Sequence, residues 1–152
     1  SGGVDGAGNR WCCIAKCSIK QGGIEFCFEC KKYPCEHYGE EDVVDSFITY
    51  RNRRADAERA KKDIRSYIRE QEEKEKILLW LLSECNDGRR KTLFCTAVNL
   101  LSLHQLEKVM NVLQEDKTEL LKEKASLAAT LLQEEAKKQG ISLSLRKNTE
   151  RR

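Results

Sequence analysis

The sequence predicts a mainly α-helical protein, a small cysteine-rich knuckle followed by a helical bundle with one long C-terminal helix. Three observations carry this. From about residue 39 to residue 139, apolar side chains recur at three- and four-residue steps. The chain has one proline, Pro34, placed among the cysteines, so no proline interrupts a helix after it. Six of the eight cysteines fall between Cys12 and Cys35. No segment alternates with the two-residue period of a strand for long enough to found a sheet.

The elements follow in order. The start, residues 1–10, is glycine-rich and reads as a flexible N-terminus or a linker remnant. Residues 11–38 form the cysteine module, expected as short turns with one brief helix after Cys17 that Gly22-Gly23 ends. The bundle spans 39–140. Glu40, Glu41 and Asp42 suit a helix N-terminus through the dipole. Val43, Val44, Phe47, Ile48, Ala55, Ala60, Ile64, Tyr67 and Ile68 continue that helix at helical spacing. The polar stretch 69–76 either extends it or breaks it once.

Ile77 to Leu82 predicts a strongly apolar helix ending near Asn86-Asp87-Gly88, a turn signal. A short helix follows through Thr92 to Leu101, with Leu93, Phe94, Ala97, Val98 and Leu101 on its buried side. Ser102 with Gln105 three residues on is a capping-box pair and starts the last helix. That helix is expected to reach Gln139, with Gly140 as its stop. Leu106, Met110, Leu113, Leu120, Leu127 and Leu131 keep a heptad-like alternation, interrupted by Lys117 and Lys124. Leu121, Ala125, Ala128 and Leu132 broaden the apolar face to the width a bundle needs. Residues 141–152 read as a frayed basic tail.

The formal net charge of +3 over 152 residues is too small to argue for nucleic acid by itself. Residues 51–76 carry ten basic and seven acidic side chains, and residues 77–139 carry nine of each. Asp56, Glu58 and Asp63 are interleaved with the Arg51–Arg65 stripe and blunt its field, so a solvated helix face is expected there. No apolar run approaches the ~20 residues of a membrane span, so no membrane partner is expected. The N-terminus carries no signal-peptide pattern, which predicts a cytoplasmic setting. In that setting clustered cysteines read as metal ligands before disulfides.

The core of the cluster is C-x2-C-x4-C, from Cys27 through Cys30 to Cys35. A C-x2-C turn puts two sulfurs on one side of a tight loop, where they can share a tetrahedral cation. Cys27 and Cys30 are therefore the first pair of candidate ligands. Cys35 is the third, because Pro34 stiffens its approach. The fourth is Cys17 or Cys12. Cys13 ranks below both, since adjacent residues rarely reach the same ion, and His37 is a further candidate. Zinc is the favoured metal and an iron–sulfur cluster the alternative. The plainer reading is a set of structural thiols.

Other residues invite plainer readings too. Cys85 and Cys95 lie in apolar helical patterns and read as small buried hydrophobes. His104 falls in the first turn of the last helix and is expected to be exposed. Trp11, Phe26, Phe28, Tyr33 and Tyr38 suit a mini-core around the metal, although aromatics beside Lys31 and Lys32 could also stack on bases. No nucleophile elbow, phosphate loop or paired-carboxylate motif is present, so no catalytic residues are assigned.

The run Cys12-Cys-Ile-Ala-Lys-Cys17 is followed by Gly23-Ile-Glu-Phe-Cys-Phe-Glu-Cys-Lys-Lys-Tyr-Pro-Cys35-Glu. Over about residues 11–40 this resembles a cysteine-rich prokaryotic family catalogued as domain of unknown function 3795. The resemblance places that family's cysteines on Cys12, Cys17, Cys27, Cys30 and Cys35, with Cys13 as an extra. It differs in lacking the further cysteines that family members carry upstream, and in one additional residue between Cys17 and Cys27. The resemblance implies a small metal-binding protein and no assigned activity.

Together these features predict a non-enzymatic, metal-binding module that acts through a protein partner. Two alternatives remain open from the residues. One is a redox or metal-handling protein whose labile thiolates are the function. The other is nucleic-acid binding through the basic helix face.

Overall fold

The computed structural model describes residues 13–36, 45 and 49–147, with Cys13 and Ala15 as backbone alone. Among them are six α-helices and no strand: α1 (Cys13–Lys20), α2 (Arg53–Lys62), α3 (Ile64–Glu84), α4 (Lys91–Leu100), α5 (Leu103–Glu115) and α6 (Leu121–Lys138). A 3-10 turn, Cys27–Glu29, lies between α1 and α2. The mainly helical class, with a small cysteine-bearing region ahead of a bundle, is as the sequence predicts. The expected ligand Cys12, along with Trp11, His37, Tyr38 and the apolar residues Val43, Val44, Phe47 and Ile48, lies outside the described residues.

Three boundaries differ from expectation. The first helix begins at Cys13, so Cys17 rides on it rather than preceding it. The predicted early helix of the bundle is divided at Asp63, and the polar stretch 69–76 continues within α3, which at 21 residues is the longest helix. Asp63 has extended backbone (φ −151°, ψ 93°), and its Oδ1 accepts from Ser66 N at 3.0 Å. Its own N–H closes α2 by donating to Arg59 O at 3.1 Å. One residue thus ends one helix and caps the next.

The predicted helix over 102–139 is likewise two helices. α5 ends at Glu115 and α6 starts at Leu121. In the connection Thr118 Oγ1 donates to Asp116 Oδ1 at 3.1 Å, a local bond that competes with helix continuation. Leu120 and Leu121 are consequently 64% and 47% exposed and take no part in a seam. Other signals hold as read. Ser102 N donates to Gln105 Oε1 at 2.9 Å and Gln105 N to Ser102 Oγ at 3.4 Å, which is the capping box that opens α5. Gly140 (φ +67°) ends α6, with Ile141 N donating to Ala136 O at 2.8 Å. That left-handed position suits glycine, and Ile141 then folds onto the core.

α3 packs against α2, α4, α5 and α6, and α6 also packs against α4 and α5. Leu81 of α3 and Cys85 just after it meet Phe94, Ala97 and Val98 of α4, and Leu101 just beyond that helix. Leu106, Val109, Met110 and Leu113 come from α5, and Ala128, Ala129, Leu132 and Ala136 from α6. The alanines of α6 bury with little side-chain entropy loss and let its backbone approach closely.

Residues 141–147 do not trail away as a frayed tail. Ile141 and Leu143 pack on the core. Arg51 donates from its guanidinium to the carbonyls of Ser142 and Ser144, and Arg146 is held by Asp45. A buried carboxylate facing two arginines fixes the segment in place. No helix among the described residues is long and apolar enough to cross a membrane.

Candidate metal centre

Four cysteines reach one place from three short segments. α1 carries Cys17 in its last turns and stops at Gly22 (φ +91°), with Gly23 N donating to Ser18 O at 2.9 Å. Ser18 Oγ then donates to Ile24 O at 2.5 Å, which folds the chain back over α1. The Glu29 carboxylate accepts from the backbone N–H groups of Glu25 (3.1 Å) and Phe26 (3.2 Å), fixing the 3-10 turn. Within it Cys30 N donates to Cys27 O at 3.1 Å, the tight C-x2-C turn that the spacing implied. Tyr33 N donates to Cys30 O at 3.0 Å, and a second turn leads on to Cys35.

Cys17, Cys27, Cys30 and Cys35 line a single small pocket, with Ile14, Ile24 and Tyr33 among its walls. Its volume is about 20 Å³, room for one water-sized particle. All four are half-buried thiols outside any disulfide. Of the two alternatives for the fourth ligand, Cys17 shares the pocket with the other three, whereas Cys12 lies outside the described residues. Among the described residues no three His, Cys, Asp or Glu side chains are arranged to hold a metal ion. The thiols thus share a pocket without standing as a formed ligand set. As a donor set they fit a soft cation: four sulfurs, apolar walls and no carboxylate are what all-thiolate zinc and iron–sulfur sites use.

The pocket is tied to the bundle by Tyr33. Its hydroxyl donates to Glu58 Oε1 of α2 at 2.7 Å, and the Lys61 ammonium stands 5.8 Å above its ring. Burial, reinforced by the Glu58 bond, pushes the phenol up to about 12. Phe26 and Phe28 stack on each other, 5.2 Å apart and 15° from parallel, and are half-buried. The sequence marked Tyr33 only as one aromatic among several. Its pairing with Glu58 spans 25 residues, and nothing local signals it.

Two members of the Arg51–Arg65 stripe serve the fold. Arg51 pairs with Asp45 at 3.5 Å as well as with the 142–144 carbonyls. Arg59 bonds Asp56 at 3.3 Å and Glu70, and stands over Tyr67 at 5.8 Å. Lys74 completes this cluster at 3.5 Å from Glu70 and is itself buried. Burial raises Asp56 and Tyr67 and lowers Lys74. The i,i+4 pair Glu70–Lys74 was visible in the sequence, but its enclosure between α2 and α3 was not.

Cys85 is buried, and that burial pushes its thiol up, so it behaves as a small hydrophobe. Cys95 is half-buried and His104 is exposed on α5. No family model matches the chain, and no curated protein or solved structure matches it.

Proposed function

We propose that the segment from Cys17 to Cys35 is a zinc-binding knuckle, held by Cys17, Cys27, Cys30 and Cys35, and that the protein is a non-enzymatic interaction module. The observation that supports this is the shared pocket: four thiols from three segments around a space of about 20 Å³. Zinc supplies such a module with the cross-link that makes a small loop-rich segment fold. The protein's own residues do the rest. Ser18 and Glu29 fix the turns, Ile14 and Ile24 shield the sulfurs, and Tyr33 docks the unit on α2. Thiols used this way need a reducing compartment, which favours the cytoplasm. The outer surface of the module, with Ile19 55% exposed beside Lys20, offers contact area to a protein partner.

Protein purified without added metal is expected to carry about one zinc per chain, and Cys27→Ser to lose it. Elemental analysis with thiol titration is the measurement. Less than about 0.2 equivalents in wild-type protein with intact thiols would exclude the reading. A redox or metal-handling role draws support from the partial exposure of all four thiols. Zinc released by mild oxidation and recovered on reduction favours that role. Zinc that resists both oxidant and chelator favours the structural one.

A further inference from the structure

We infer that the Tyr33–Glu58 hydrogen bond is a strut that couples the thiol pocket to α2, so that a metal at the thiols and the order of α2 reinforce each other. This rests on the zinc reading above. Tyr33 belongs to both parts. It lines the pocket, its N–H donates to Cys30 O at 3.0 Å, and Cys35 follows two residues later. Its hydroxyl reaches Glu58 at 2.7 Å. Holding Tyr33 against α2 therefore fixes the chain that carries two of the four sulfurs.

Within the bundle, α2 is the helix with the fewest buried side chains. It has ten residues and one buried side chain, Ala60. Asn52 at its N-cap makes no capping bond; its side chain donates instead to Asn99 O at 3.4 Å. A helix so short and polar is marginal without tertiary contacts. Its inner anchor is the Arg59 pair with Glu70 of α3; Asp56, on α2 itself, pairs with the same guanidinium. Tyr33 reaches α2 with a hydrogen bond from the cysteine side. Coupling of this kind is reciprocal: if the strut helps the pocket hold metal, metal must help the strut hold α2.

The full chain serves for the test, with Tyr33→Phe (ring kept, donor lost), Glu58→Ala (acceptor lost) and Glu58→Gln (accepting oxygen kept). Zinc affinity is read by competition with a chromogenic chelator, and amide hydrogen exchange of residues 53–62 is read with and without zinc. Tyr33→Phe and Glu58→Ala are expected to weaken zinc binding about fivefold, the scale of one partly exposed hydrogen bond. Glu58→Gln should stay near wild type. Zinc should slow exchange across α2 in wild type and lose that effect in Tyr33→Phe, while α5 and α6 keep their protection in every variant. A purely structural bond would lower protection of α2 equally with and without zinc, and that result overturns the strut. So does unchanged zinc affinity in both Tyr33→Phe and Glu58→Ala. Wild-type protein that takes up no zinc overturns the zinc reading, and the strut with it.

Discussion

Asp45 joins segments 101 residues apart through a side chain with no exposed surface. It accepts from Arg146 N at 2.8 Å, Arg146 Nη2 at 2.9 Å and Tyr50 N at 3.1 Å, with the Arg51 guanidinium at 3.5 Å. The Arg146 guanidinium, opposed by burial and helped by backbone donors, holds the carboxyl well below the usual carboxylate range. A carboxylate depressed in the folded state contributes stability above its unfolded pKa of about 3.9 and loses it as pH falls below that value. Asp45→Ala is therefore expected to lower unfolding free energy at neutral pH by about 3 kcal/mol, the low end for breaking a buried pair, because both arginines can reach water. Urea unfolding at pH 7 measures this. Repeating it below about pH 4 should show wild type and variant converging. A difference that stays constant with pH would mean that the carboxylate's charge plays no part.

At the scale of the element, Asp63 is the single residue that separates α2 from α3. Its Oδ1 caps α3 through Ser66 N at 3.0 Å. Asp63→Ala should destabilise by about 1 kcal/mol, a few degrees in melting temperature, and Asp63→Ser should recover most of it by keeping an accepting oxygen. Equal melting of all three proteins would show that the cap contributes nothing. Asp63 also shows what the sequence could convey. The Ser102–Gln105 box, the Gly22 and Gly140 stops and the C-x2-C turn were legible because each is closed by bonds within a few residues. The breaks at Asp63 and at 116–120 were not, because three-and-four spacing runs straight through both. Leu120 fits a heptad on paper yet is 64% exposed. Asp63 ahead of Ile64, and Asp116 two residues before Thr118, were the available signals. The Asp45–Arg146 and Tyr33–Glu58 contacts leave no local trace at all, since each pairs residues from distant parts of the chain. In the candidate site the ligand types and spacing could be read, whereas the shielding by Ile14, Ile24 and Tyr33 needed the fold.

Over the whole molecule, the buried core is closed by α3 to α6 with Ile141 and Leu143, and no described residue of the cysteine module belongs to it. Among residues 14–36, none whose burial is described is buried. A segment with so little burial cannot fold on apolar contacts alone, so bound metal should supply its folding free energy. The bundle holds Phe94, Leu81, Leu101, Leu106, Leu113 and Leu132 fully buried and should stand without it. Chelation is therefore expected to expose the amides of residues 13–36, to loosen α2 through Tyr33, and to leave residues 77–132 protected. Far-ultraviolet circular dichroism should keep most of its helical signal, because α3, α5 and α6 make up the larger part of the helix. Cys27→Ser should reproduce the effect of the chelator, as it removes one sulfur from the pocket. Hydrogen exchange with and without chelator decides between two architectures. Loss confined to residues 13–62 supports a knuckle docked on an autonomous bundle. Loss that spreads across 77–132 would mean that the knuckle and the bundle fold as one cooperative unit, against the separation of their buried contacts.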